Sequence, residues 1–426
     1  MAASGWSQTE GVTASTLLFY ISLLLVSQAL LGAAVGLLRM RARAKAAVVN
    51  KPAQASLREP AAWSGLRAFR VARRVYEDAA QTQCSFYLEP VDGLALPDYQ
   101  PGQFLTFSLP LAAAGAAGAA ARRVTRCYSL SDSPAPDHYR VTIKRVVAPA
   151  QPAGVPEGVA SHYFHDHVHA GNTLQIRAPS GHFYLDRTLQ TPVVLIAGGI
   201  GITPMMGMLR WCAQHQPQRV VHLFYGVRNS AEQAYKAVLE EMAGTLPQLS
   251  LQVVYSRPLP DDIRALDYQH QGHVDLALLK QNLPPGPHQF YICGPTAMLE
   301  SLVPALAQSG VALPDIHFEA FGPASVRLPA PDGAAPSAAP TGPLEIRFSR
   351  SGRTLQWSGK ESNLLDFAEA HGIALESGCR SGSCGSCVAT LSSGAVAYAS
   401  APDFEPAPGQ CLLCVARPRV ALTLDA

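Results

Sequence analysis

The sequence predicts a multidomain chain: an N-terminal transmembrane helix, an antiparallel β-barrel, a doubly wound α/β domain and a small α+β domain. Three observations carry this. An uncharged run fills positions 17–38, the hydrophobic pattern changes from period two to alternating strand and helix near residue 189, and five of the nine cysteines fall in the last fifty residues. The 426 residues are 48% hydrophobic, which supplies several cores and argues against a disordered chain. The 33 basic residues nearly balance the 31 acidic ones. That balance argues against nucleic acid as a partner, because phosphates demand a clustered excess of basic residues.

The first element is the run Leu17–Leu38, interrupted only by Ser22, Ser27 and Gln28 as clearly polar residues. Twenty-two residues rising about 1.5 Å each make about 33 Å of helix, enough to cross a hydrocarbon core of about 30 Å. A cleaved signal peptide wants cations before the run and a small-residue site after it. Here no Lys or Arg precedes Leu17, whereas Arg39, Arg41, Arg43 and Lys45 follow Leu38. The positive-inside rule then places the C-terminal side in the cytoplasm. The expectation is a single-pass protein of the inner (cytoplasmic) membrane, with a short tail at 1–16 outside and a juxtamembrane linker at 39–65.

Between 66 and 188, AFRVARRVYED, QCSFYLEP, FLTFSLP, YRVTIKRVV and TLQIRAP alternate apolar with polar residues. Many strands and few long helices predict an antiparallel barrel. Residues 111–121 are low in complexity and read as a surface loop. From 189 to 326, PVVLIAGG, VVHLFYGV, LQVVYSRP and HQFYICGP are buried β runs. They alternate with helical TPMMGMLRWCAQH, SAEQAYKAVLEEMAG and TAMLESLVPALAQSG, the mark of a parallel, doubly wound sheet. Residues 327–343 are rich in Pro, Ala and Gly and read as a linker. In 344–426, LEIRFS and RTLQWS form a hairpin pattern. SNLLDFAEAHG reads as a helix with Ser362 at its N-cap, and VALTLD reads as a closing strand.

Cys379, Cys384 and Cys387 stand in C-x4-C-x2-C spacing, and Cys414 follows 27 positions on. That spacing matches plant-type [2Fe–2S] ligation, with three thiolates from one loop and the fourth from a distant segment. Gly378, Gly382 and Gly385 let the backbone turn tightly there. Zinc held by the pairs Cys384/Cys387 and Cys411/Cys414 is the alternative; otherwise Cys411 reads as a packed small hydrophobe. The module resembles the plant-type ferredoxins, which implies a β-grasp fold. His165, His167 and His169 read as a solvated segment.

Further upstream, Arg126-Cys127-Tyr128-Ser129 resembles the R-x-Y-S motif of the ferredoxin–NADP reductase superfamily. The resemblance assigns Arg126 to a flavin phosphate, Tyr128 to the ring face and Ser129 to the ring nitrogens. Pro101-Gly102-Gln103-Phe104 resembles the family's turn beneath the flavin, which adds Gln103. Gly158-Val159-Ala160-Ser161 runs into a helix, and a glycine turn at a helix N-terminus suits an anion. It resembles the family's pyrophosphate element, so Gly158, Val159 and Ser161 are candidates. FAD is the implied flavin, with FMN as the alternative.

Gly198, Gly199 and Gly201 follow a buried run and open a helix, which suits close approach of a pyrophosphate. Gly294 and Pro295 complete the family's C-G-P element. The resemblance puts Thr203 and Cys293 near the hydride path and lays His317–Gly322, with Glu319 and Phe321, against the flavin. Thr203, Cys293 and Glu319 are thus the candidate catalytic residues. Arg228 after the next strand could accept a 2′-phosphate, which leaves NADH and NADPH both open.

The order of modules resembles reductases of the phthalate-dioxygenase-reductase and hybrid-cluster-protein-reductase types. It implies an NAD(P)H-dependent reductase that passes electrons through FAD and [2Fe–2S] to a one-electron acceptor at the membrane: an oxygenase, a desaturase, a hydroxylase or a haem protein. A hybrid-cluster-protein-type reductase and a slow-turnover redox relay or sensing module are the alternatives.

Overall fold

Three larger β-sheets and a two-stranded ladder make up the described residues of a computed structural model, which are 63–111, 122–147, 157–321, 342–380, 382, 384–398, 402 and 404–426. The expected membrane run 17–38 and its flanks at 1–16 and 39–62 lie outside the described residues, as do 112–121 and most of the 327–343 linker. Among the described residues, no helix is long and apolar enough to cross a membrane.

The first sheet is antiparallel. Its strands are β1 (Arg67–Tyr76), β2 (Gln83–Pro90), β3 (Phe104–Leu111), β4 (Arg122–Ser129), β5 (Tyr139–Lys144) and β6 (Thr173–Ser180), in the order β4-β3-β6-β1-β2-β5. A bridge between Leu130 and Val141 joins the end of β4 to β5 and closes the sheet on itself. Closure removes the two edges that an open sheet would leave unpaired. Helix α1 (Val159–His167) inserts Phe164 between Phe86 and Phe107, with ring centroids 5.2 and 5.3 Å away. The expectation of three solvated histidines fails at one position. His165 is buried, its Nε2 lies 2.9 Å from the Ile143 carbonyl, and burial lowers its pKa. The helix turns that residue inward beside Phe164, whereas His167 and His169 are exposed.

The second sheet is parallel throughout. It comprises β7 (Val193–Gly198), β8 (Val221–Val227), β9 (Leu249–Tyr255), β10 (His270–Gln271), β11 (Gln289–Gly294) and β12 (Ile316–Ala320), in the order β10-β9-β8-β7-β11-β12. Helices α2 (Ile202–His215), α3 (Lys236–Thr245), α4 (Leu276–Asn282) and α5 (Thr296–Gln308) connect them. The strand order reverses between β7 and β11, and ligands of open α/β sheets bind at such a switch point. The expected helix SAEQAYKAVLEEMAG is shorter than its pattern. A 3-10 turn at Ser230–Glu232 and a left-handed Tyr235 (φ 60°) precede α3. Tertiary packing overrides helix propensity here, because the Tyr235 ring is buried against Arg140 of the barrel, 4.8 Å away.

That arginine ties the first two sheets together. The Arg140 side chain is 2% exposed, 2.7 Å from Glu77 and 3.7 Å from Asp132, and Asp132 also pairs with Arg210 of α2 at 3.1 Å. Lys144 of β5 pairs with Glu232 of the 3-10 turn that precedes α3, at 3.2 Å.

The third sheet holds β13 (Leu344–Phe348), β14 (Arg353–Trp357), β15 (Val388–Ser393), β17 (Gln410–Leu412) and β19 (Leu422–Asp425), in the order β14-β13-β19-β15-β17. A small ladder joins β16 (Val396–Tyr398) to β18 (Ala416–Pro418). Helix α6 (Leu364–Ala370) packs Leu364, Leu365, Phe367 and Ala368 into the core. Its N-cap is Asn363, whose side chain accepts from Asp366 N at 2.8 Å. The expected cap Ser362 lies one residue too early, and its carbonyl instead accepts from Arg417.

Near the start of β8, both ring nitrogens of buried His222 lack hydrogen-bond partners. Burial, with His288 adding, lowers its pKa. The unfolded chain therefore takes up the proton first as pH falls through about 6.5, and the folded state loses stability below that point. We expect the melting temperature to fall between pH 8 and pH 5, and to fall less in His222→Leu. Equal slopes in the two proteins would show that His222 does not contribute.

Candidate functional site

A cavity of about 570 Å³ opens where the three sheets meet. It is within the usual range for a ligand pocket. The barrel contributes Arg126, Tyr128, Ser129, Gly158, Val159 and Ser161, the parallel sheet contributes Thr203, Glu319 and Phe321, and the third module contributes Ser377–Arg380. Nine residues expected from sequence to share one site thus line one cavity, and the cysteine loop joins them.

Each is held differently. Arg126 and Tyr128 sit on β4, where pairing with β3 fixes their register opposite Phe107 and Leu105. Arg126 Nη1 donates to the carbonyls of Thr125 at 2.7 Å and Ser377 at 3.3 Å. The Tyr128 ring meets Phe107 and Phe164 edge-on at 5.7 and 5.2 Å, and burial raises its pKa. Ser161 Oγ donates to the Gly158 carbonyl at 2.7 Å and accepts from Val146 N at 3.1 Å, which pins the entry to α1. A side chain at Gly158 would collide with that hydroxyl, 2.6 Å from the added Cβ. Thr203 is buried in the first turn of α2, and its hydroxyl donates to the Ile200 carbonyl at 3.0 Å.

Glu319 stands opposite. Burial, with Cys379 adding, pushes its carboxyl up to about 8, so it is largely protonated at neutral pH. The Ser129 hydroxyl lies near enough to oppose that shift without meeting hydrogen-bond geometry, and both Ser129 Oγ and Glu319 Oε2 are buried with no partner. Ser129 and Glu319 both line the cavity, so a polar ring edge that enters it has these groups to pair with. The barrel residues therefore fit a flavin.

The other candidates lie behind the cavity wall. Cys293 is fully buried, and burial with Glu319 raises its thiol pKa. A Cβ on Gly201 would lie 2.1 Å from the Cys293 carbonyl, and one on Gly294 would lie 2.9 Å from Gly198 Cα. These glycines let the ends of β7 and β11 touch. Gly199, with φ +53° and open space beside it, leaves its backbone accessible at the switch point, and Pro295 is exposed there. That open backbone at the head of α2 fits a dinucleotide pyrophosphate. Gln103 does not line the cavity. Its side chain accepts from Gln100 N at 2.9 Å and reaches the Gly181 carbonyl at 3.4 Å, which fixes the turn. Arg228 is 2.6 Å from Glu232.

In the third module, Cys387 and Cys414 Sγ lie 3.1 Å apart. Cys379 and Cys384 each donate a backbone N–H to the other's sulfur, at 3.2 and 3.3 Å. Among the described residues, no three of His, Cys, Asp and Glu converge on one point. Two sulfur pairs suit a cluster that spreads its four ligands over two irons. Cys411 is buried in the core cluster, as a packed residue would be, and burial pushes its thiol up to about 11. Sequence reasoning missed Arg380. It adopts φ 57° and is held by Asp366 and Glu369 of α6, so it clamps the cysteine loop to the helix. Its place inside the C-x4-C spacing was the available signal.

Comparison with known proteins follows the same division. Residues 195–303 match the oxidoreductase NAD-binding domain family, and residues 346–419 match the 2Fe-2S iron-sulfur cluster binding domain family. A flavohemoprotein of Rhizobium meliloti (strain 1021) is 38% identical over 261 residues, covering 61% of this chain and 62% of that one. The flavohem-like FAD/NAD-binding domain of nitric oxide dioxygenase from Vibrio cholerae O1 biovar El Tor is 32% identical with a TM-score of 0.52. The match covers 61% of this chain and 100% of that one. An intact type IV self-sufficient cytochrome P450 monooxygenase shares the fold over 85% of this chain and 41% of its own, at 23% identity and a TM-score of 0.54. The chain thus spans about three-fifths of the flavohemoprotein's length. It belongs to the ferredoxin–NADP reductase superfamily of oxidoreductases, in the form that carries a C-terminal 2Fe-2S ferredoxin-type domain. The two matched families bring an NAD-binding domain and a 2Fe-2S cluster binding domain to this chain.

We expect Ser substitutions at Cys379, Cys384, Cys387 or Cys414 each to bleach the visible iron–sulfur absorption. Cys411→Ser should keep it while costing about 1–3 kcal/mol, the usual penalty for burying an unpaired hydroxyl. Bleaching by Cys411→Ser with retention in Cys414→Ser would exchange their roles.

Proposed function

We propose that the chain is a membrane-tethered NAD(P)H-dependent reductase that passes electrons through FAD and [2Fe–2S] to a one-electron acceptor protein. The observation that carries this reading is the shared cavity. Candidate flavin residues, the first turn of α2 and the Cys379 loop line one space of about 570 Å³. The chemistry supplied by the bound groups is conversion of a two-electron donor into one-electron steps. The chain's own residues supply position. Tyr128 and Phe321 offer ring faces, Arg126 and the head of α1 offer cationic and N–H groups for phosphates, and Ser129 and Glu319 offer polar atoms to a ring edge. Thr203 closes the side toward the nicotinamide, and Cys379 forms the wall toward the cluster.

NADH is the favoured donor. Arg228, the candidate for a 2′-phosphate, already has Glu232 at 2.6 Å as its partner. Among acceptors, a haem protein is favoured, since the flavohemoprotein relative is named for a flavin and a haem on one chain. The tether rests on the sequence, where an uncharged run at 17–38 is followed by four cations at 39–45. Tethering would raise the local concentration of donor and acceptor without any new contact.

Two measurements test this. A Cys379→Ser protein shown to lack the cluster should still reduce ferricyanide from NADH and lose most of its cytochrome c reduction. Unchanged cytochrome c rates would refute the relay, and slow turnover with both acceptors would mark a sensing module. The full-length protein should sediment with membranes, while a chain starting at Ala46 stays in the supernatant. Full-length protein left in the supernatant after high-speed centrifugation would remove the tether.

A further inference from the structure

Cys127 is the variable residue of the R-x-Y-S segment, and the roles proposed above leave it unused. It sits on β4 opposite Thr106, whose hydroxyl is 3.4 Å from its sulfur. Its sulfur points to the cysteine loop. A Cβ built on Gly378 would lie 3.4 Å from Cys127 Sγ, 2.8 Å from Cys384 Sγ and 2.9 Å from Ser386 Oγ. Gly378 is therefore the crossing point of a barrel thiol and two groups of the cluster loop, and only a residue without a side chain fits there. Next to it, Arg126 Nη1 donates to the Ser377 carbonyl at 3.3 Å. Two adjacent residues of one barrel strand thus face two adjacent residues of a loop about 250 positions away, Arg126 through a hydrogen bond to Ser377 and Cys127 across the space that a side chain at 378 would fill. Ordinary strand pairing on one side and the Arg380 clamp to α6 on the other leave little slack in this contact.

We propose that Cys127 is a positioning residue that seats loop 377–380 against the barrel, so that the size of the side chain at 127 sets the separation between the flavin cavity and Cys379. The proposal deepens the relay reading and rests on it for its functional consequence, although the contact itself does not. A larger side chain would push the loop outward at Gly378, a smaller apolar one would leave it unsupported, and serine would preserve the seat.

The test uses full-length holoprotein of the wild type and of Cys127→Ser, Cys127→Ala and Cys127→Leu, each first shown by visible absorption to hold its cluster. One readout is amide hydrogen exchange of peptides covering 374–380. The other is the ratio of cluster reduction to flavin reduction after anaerobic mixing with NADH. We expect exchange to rise in the order Ser, Ala, Leu, with serine close to wild type. The ratio should fall about tenfold or more in the leucine variant, as small misplacements between reacting centres commonly do. Cys127→Ala decides the matter if the leucine variant does not fold. Wild-type exchange and wild-type ratio in both the alanine and leucine variants would overturn the proposal. Absence of any cluster reduction in the wild type would instead sink the relay reading, and exchange would still decide whether Cys127 seats the loop.

Discussion

The arrangement depends on a buried cation. Arg140 is nearly inaccessible and touches Glu77, Asp132 and the ring of Tyr235 together. Taking a guanidinium out of water is costly unless carboxylates and hydrogen bonds meet it, and removing one partner leaves an uncompensated charge worth about 3–5 kcal/mol. Here the partners come from both of the first two sheets. Asp132 passes the contact on to Arg210 of α2, the helix whose first turn carries Thr203. The barrel wall and the head of the nucleotide helix are therefore fixed relative to one another by one charge network, and the cavity between them inherits its width.

A second constraint acts at the switch point. The end of β7 and the turn after it approach the end of β11 until backbone meets backbone, Gly294 against Gly198 and Gly201 against Cys293. Any side chain there would pry the strands apart. The glycines thus serve packing first, and only Gly199 leaves its backbone open to a ligand. A motif read as a phosphate cradle divides its residues between two duties.

This division explains what was legible in the sequence. Cysteine spacing could be read directly, because ligand geometry sets it locally. The change from period-two to strand–helix alternation could be read because each module buries its own core. Tyr235 could not: its left-handed turn answers to a barrel arginine nearly a hundred residues earlier. Nor could the meeting of Cys127 with Gly378, since each looks ordinary in its own segment. His165 was misplaced because three histidines in five residues look solvated until the helix phase is known. The cap moved from Ser362 to Asn363 because both residue types cap well and only the helix start distinguishes them.

The third sheet has an implication for the order of assembly. Strand β19, the last in chain order, lies between β13 and β15, where it is parallel to the first and antiparallel to the second. Neither neighbour can complete its ladder until that strand is present. Closing so distant a contact is slow by nature. The barrel and the parallel sheet, whose strands are all synthesised earlier, can form beforehand. The cysteine loop precedes β15 directly, so the strand that leaves the loop is braced by that last strand. All four cysteines are thus translated before the strand that braces the ladder beside them.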